Sequence, residues 1–182
     1  MKHNARRNAR PASSRRPPRP VQRTRAGLVA GRRMDFGVIA DAESILFQEG
    51  VTLAPMAWEG SAAADGVFQH GALTVIPTAG ARDLEAGRLA GVVVAGSTDP
   101  RAAEEQQSLE KLVQAAHAVK LPVMAFGEGA ARALEALGFD VPADLPPAVL
   151  IHDGVRILET SEQVRDAIGA LHTAQAALQA AA

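Results

Sequence analysis

The stretch LPVMAFGEGAARALEALG, Leu121 to Gly138, decides how this chain is read. An apolar run, LPVMAF, stops at Gly127, and a helix-forming run, AARALEAL, begins directly after Gly129. Strand, very tight turn, helix is the arrangement with which many α/β enzymes lift a nucleophilic side chain above a sheet. The N–H groups and positive dipole end of the following helix favour negative charge at that turn. Here the displayed position is glycine.

Outward from this turn, the pattern repeats. LAGVVVAG (Leu89–Gly96) is an unbroken apolar run suited to a parallel strand covered on both faces. The helix after STDP places Leu109, Leu112, Val113 and Ala116 on one stripe. ALTVIP (Ala72–Pro77) reads as a further buried strand, and FGVIA (36–40) as a first central one. Between them, residues 42–70 leave open a short helix over Glu43–Gln48 or a strand near Val51–Leu53. AVLIHDGVRILET predicts a hairpin with a two-residue turn at Asp153-Gly154. A last helix, capped by Thr160 or Ser161, buries Val164, Ala167, Ile168, Leu171 and Ala174. Alternating β and α with continuous apolar strands predicts a layered α/β fold with a mostly parallel sheet. Ligands in such sheets bind beyond the strand carboxyl ends, where ADAES, AGSTDP and FGEGA are expected to converge.

Composition narrows the chemistry. The 182 residues suit one domain, 47% of them apolar and only 3% aromatic, so the core is aliphatic. There is no cysteine, which removes disulfides, thiolate metal sites and cysteine nucleophiles. No apolar run approaches the ~20 residues needed to cross a bilayer, and the first 20 residues have no apolar signal core. A soluble, cytoplasmic protein without membrane contact is expected. The histidines show no ligand spacing, so neither metal nor cofactor is expected. Gly127-Glu128-Gly129 begins like a dinucleotide fingerprint, but the third glycine position is Arg132.

The net charge of −1 hides two halves. Residues 1–33 carry Lys2 and ten arginines with no acid, a charge of +11; the other 8 basic residues face all 20 acids, a net of −12. The arm has no apolar periodicity and reads as disordered, with 34–182 as the folded domain. Four readings stand for it: an extension upstream of a start at Met34, non-specific contact with nucleic acid through phosphate charge, a targeting segment, or a tail lying on its own acidic domain.

LTVIPTAG, LAGVVVAGSTDP with its helix, LPVMAFGEGAARALEALG and DGVRILET together resemble the ThiJ/PfpI family, within the class I glutamine amidotransferase-like superfamily, from about Leu73 to Ala170. The resemblance implies a flavodoxin-like three-layer sandwich closed by a C-terminal β-hairpin and helix, and commonly a homodimer. It implies peptidase, glyoxalase or deglycase chemistry, all resting on one cysteine. Carried over by position, that cysteine falls on Gly127 and the neighbouring histidine of PfpI-type members on Glu128, before Gly129. The family's Pro-Gly-Gly oxyanion turn becomes Ala95-Gly96-Ser97. The acid of the first βα loop matches Glu43 with the spacing off by one. The segment from Gly138 to Ala148 is shorter than in the family and lacks the part that brings a histidine over the pocket.

The resulting expectation is a pseudoenzyme, a non-catalytic ThiJ/PfpI-like domain used in binding or assembly. Its vestigial pocket comprises Glu43, Gly96, Ser97, Gly127, Glu128 and Gly129, and a small anion is its candidate ligand. The alternative is a small-molecule binder, lyase or hydrolase in which Glu43 and Glu128 share the pocket as an acid–base pair. A more distant alternative is a nucleic-acid-associated protein acting through its basic arm.

Overall fold

A computed structural model describes residues 23–29, 36–57, 68–70, 73–95 and 103–181. Its centre is a seven-stranded sheet in the order β5-β2-β1-β6-β7-β8-β9. The strands are β1 (Thr24–Val29), β2 (Val51–Ala57), β5 (Ala79–Gly80), β6 (Val92–Ala95), β7 (Val123–Phe126), β8 (Ala148–Ile151) and β9 (Val155–Leu158). The first five run parallel, and β8 and β9 are antiparallel additions. A separate antiparallel pair joins β3 (Phe68–His70) to β4 (Leu73–Val75).

Alternation along the strands makes two cores. Ala26, Leu28, Val93, Ala95, Met124 and Phe126 point to one face, under α1 (Phe36–Gln48) and α5 (Ser161–Ala181). Val29, Val92, Val94, Val123 and Ala125 point to the other, under α2 (Ala81–Glu85), α3 (Ala103–Ala118) and α4 (Glu128–Ala136). Both faces of the central strands are therefore covered, which is why β6, β7 and β8 are buried at every residue. The result is a flavodoxin-like α/β sandwich. Among the described residues no helix is long and apolar enough to cross a membrane.

Several expectations hold. β6, α3, β7, α4 and α5 lie where periodicity placed them, and Val164, Ala167, Ile168 and Leu171 are buried. Gly138, at φ +73, ends α4 as a left-handed residue. Thr160 caps α5 through a full reciprocal box: the Gln163 N–H donates to Thr160 Oγ1 (3.2 Å), and the Thr160 N–H to Gln163 Oε1 (3.1 Å). Both options for the illegible stretch are real, since α1 ends at Gln48 and β2 starts at Val51.

Four details are corrected. FGVIA is not a strand but the first turns of α1; apolar residues recur as Ile39, Ala42 and Leu46, so the helical period continues through the run. The first strand lies earlier, at Thr24–Val29, inside the segment assigned to the disordered arm. Only four consecutive apolar residues mark it, and Arg25 on its second position disguises it. That guanidinium leaves the sheet to donate to the Thr78 carbonyl (2.8 Å). A start at Met34 would omit a strand that pairs on both sides. ALTVIP supplies β4 of the small hairpin, outside the main sheet, and Ile76 is exposed. The β8–β9 connection has three residues, His152–Gly154, with Ile151 paired to Val155. Residues 1–22, where most of the basic arm lies, fall outside the described residues.

Candidate functional site

The connection from β1 through α1 to β2 runs on one face of the sheet, and that from β6 through α3 to β7 on the other. The sense of winding changes between β1 and β6, and the carboxyl ends beside that point are the expected binding edge. Phe126 ends β7 there, and Gly127 makes the whole connection to α4.

Gly127 has φ +54 and ψ −132, a conformation that L side chains rarely adopt. Its N–H donates to the Pro147 carbonyl (3.0 Å), and its carbonyl accepts from the Ala130 N–H (3.0 Å). One bond ties the elbow to the start of β8, and the other opens the helix. Gly129, Ala130 and Ala133 are buried, and their small size lets α4 lie close on the sheet. A Cβ added at Gly127 would sit 3.6 Å from both Val38 methyls, ordinary contact distance. Room for a side chain persists, and no reactive atom fills it.

Beside the elbow lies a groove of about 360 Å³ between α1 and the start of α5. Val38, Ile45, Phe126 and Leu158 give it apolar walls, and Asp41, Glu159 and Thr160 its polar rim. The capping box consumes the Glu159 and Thr160 N–H groups on Gln163 Oε1, at 2.6 and 3.1 Å. With the Gly127 N–H on Pro147, three of the backbone donors around the groove are already engaged.

Of the residues expected to form the pocket, Gly127 lines the groove, while Gly129 is buried beneath the first turn of α4. Glu128 and Glu43 are exposed, and neither is among the groove's lining residues. Glu43 lies within α1 with its side chain exposed, so ADAES is helix rather than loop. The carboxylate that α1 does present to the groove is Asp41. Gly96 and Ser97 lie outside the described residues. Sequence reasoning missed Val38 and Glu159, and within ADAES it singled out Glu43 rather than Asp41; reading FGVIA as a strand hid the helical phase that separates the two. Among the described residues, no three of His, Cys, Asp and Glu group to hold a metal ion.

No protein-family model matches the chain, and no curated protein does. Solved structures do match. A protein proposed as protease I from Bacteroides thetaiotaomicron superposes with a TM-score of 0.53 at 10% identity, over 85% of this chain and 99% of that one. Over that length the two chains share a fold. A cysteine-to-alanine mutant of a DJ-1 superfamily protein from Salmonella typhimurium matches with a TM-score of 0.49 and 15% identity, over 86% of this chain and 91% of that one. A ThiJ/PfpI family protein from Pseudomonas syringae gives 0.49 and 13%, over 87% and 74%. The likeness to the Bacteroides protein, at 10% identity, speaks for the fold and not for chemistry.

Proposed function

We propose that this chain is a non-catalytic protein of the ThiJ/PfpI-type fold that acts by binding or assembly. The observation that carries the reading is Gly127. The tight elbow is intact, at φ +54 and ψ −132, and space for a Cβ remains against Val38. Yet the residue offers no nucleophile, and the chain contains no cysteine to supply one from elsewhere. The acid–base alternative lacks a comparable support, because Glu43 and Glu128 are both exposed and outside the groove.

The apolar groove beside the elbow supports a binding role, since ligand sites are concave and mostly apolar with a few polar groups. Assembly into a homodimer is part of the proposal. Edge strand β9 presents Val155 and Ile157 to solvent, 37% and 47% exposed, an apolar surface that a second copy would cover. The test of the catalytic silence is turnover of methylglyoxal by the highly purified full chain. The expected rate equals the buffer blank. Turnover that tracks the protein through successive columns and survives there would overturn the reading.

A further inference from the structure

A second cleft, of about 490 Å³, lies at the opposite edge of the sheet from the elbow, where β7 begins. Its lining combines His117 from the last turn of α3, Lys120 from the turn after it, and His152 from the β8–β9 turn. The antiparallel register explains the convergence. Val123, first in β7, pairs with Ile151, last in β8, so His152 comes up beside Leu121 and the end of α3. Ala118, Leu121 and Phe139 supply the apolar wall.

Backbone strain concentrates here. Among the described residues only two non-glycine residues have positive φ, Lys120 (+58) and Asp153 (+54), and both line this cleft. Lys120 holds the helix-ending position usually given to glycine. Its N–H donates to the His117 carbonyl and that of Leu121 to the Ala116 carbonyl, both at 2.9 Å. A lysine kept where glycine is cheaper points to use of its side chain. The Ala116 and His117 carbonyls are thereby satisfied and do not compete for donors in the cleft.

Among the described residues the three basic side chains make no hydrogen bond, and the contact of His152 with Asp153 is a long ion pair. Neither His117 nor Lys120 makes a side-chain hydrogen bond to a described residue, and His152 Nε2 lies 3.9 Å from Asp153 Oδ2, beyond hydrogen-bond reach. That aspartate, 85% exposed, is the one acid lining the cleft.

We propose that this cleft binds a small organic anion, a carboxylate or phosphate carried on an apolar body. Lys120 supplies a fixed positive charge, and each imidazole supplies an N–H donor even when neutral. Charge-assisted bonds of this kind are the strong ones. The wall of Leu121 and Phe139 takes the apolar body, and the volume suits a small ligand. The site shares no residue with the groove at Gly127, so it stands or falls independently of the silent elbow.

The test is a titration of the full chain with benzoate and, separately, inorganic phosphate, followed through the imidazole Cε1–H resonances. Benzoate is expected to shift the signals of His117 and His152 saturably below about 10 mM, a weak-ligand range. His172, whose two nitrogens are already hydrogen-bonded, serves as the unmoved control. Phosphate, without an apolar body, is expected to bind more weakly. Lys120→Gln should weaken benzoate about tenfold, as loss of one charged hydrogen bond implies. The proposal is overturned if neither signal saturates, if Lys120→Gln binds as wild type does, or if zinc perturbs both histidines and benzoate neither.

Discussion

Removing residues 1–33, so that the chain begins at Met34, should abolish cooperative folding, whereas beginning at Arg23 should not. β1 lies third in the seven-stranded order, paired over six positions with β2 and three with β6. Of its side chains Ala26, Leu28 and Val29 are 0%, 6% and 3% exposed. At about 1.5–3 kcal/mol for each large apolar side chain and about 0.8 for a methyl, their burial contributes roughly 4–7 kcal/mol. Nine register pairs with two neighbours add hydrogen bonds, each about 0.5–1.5 kcal/mol net. The missing strand would also uncover Met56, Leu89 and Val93. The sum matches or exceeds the roughly 5–15 kcal/mol that holds a whole domain together. Residues 1–22, by contrast, are polar, acid-free and without apolar periodicity. Thermal and urea unfolding by circular dichroism would compare the three chains. The chain from Arg23 should melt within a few degrees of full length, and that from Met34 should show no sigmoidal transition. A cooperative transition in the Met34 chain, near the full-length midpoint, would refute the placement of β1.

Four further outcomes are expected. Gly91→Ala should destabilise by about 1–3 kcal/mol, because the new Cβ would lie 2.6 Å from the Pro122 carbonyl oxygen and against Leu171 Cδ2; an unchanged urea midpoint would refute that packing. His172→Ala should cost about 1–3 kcal/mol, since it strands the buried Thr24 hydroxyl (2.8 Å to Nδ1), and adding Thr24→Val should recover part of the loss in a double-mutant cycle. Burial works to raise the Asp83 carboxyl, but the Gly80 N–H and Arg88 (both 2.7 Å), with the charge of Arg25, outweigh it and hold the group below its ordinary value. Its contribution is therefore present above the unfolded value, about 4, and lost as pH falls through the lower folded value, so urea midpoints of wild type and Asp83→Asn should differ at pH 6 and draw together progressively as pH falls below about 4. Gly127→Ala should cost about 1–3 kcal/mol from its positive φ, with Val38 undisturbed; a loss above about 4 kcal/mol would mean the space beside Val38 is not there.

The parts of this fold legible in the sequence are those where one periodicity runs uninterrupted between strong stops. β6 is a solid apolar run between glycines and β7 one that stops at Gly127, and α5 has both a capping box and a four-residue buried stripe. The beginning was illegible for two physical reasons. β1 is short and carries Arg25, whose charge leaves the sheet for a carbonyl partner, and composition alone cannot anticipate that partner. α1 starts with five apolar residues in a row, of which Ile39 is buried and Val38 faces the groove while Gly37 and Ala40 are small residues on the exposed side, so the run hides the helical period. The candidate site suffered most from this. Gly127 could be found because its neighbours announce a strand-to-helix turn. Within ADAES, Asp41 could not be told from Glu43, since that choice follows from the side of α1 that faces the groove.

Gly127 also bears on why the elbow survives at all. Where a nucleophile sits at such a turn, its side chain must tolerate positive φ, a strain of about 1–3 kcal/mol that the surrounding structure has to overcome. Glycine adopts φ +54 with almost no such penalty. The turn here is therefore held by what packs around it: the Gly127 N–H on the Pro147 carbonyl, the Ala130 N–H on the Gly127 carbonyl, and α4 pressed onto the sheet through buried Gly129, Ala130 and Ala133. Those constraints belong to the path of the chain from β7 into α4 and act whatever residue occupies the apex. A conformation often taken as a mark of catalysis is in this chain a property of the scaffold. The functional question accordingly moves from the apex to the surfaces that still carry unengaged chemistry, the groove under α1 and the basic cleft at the far end of β7.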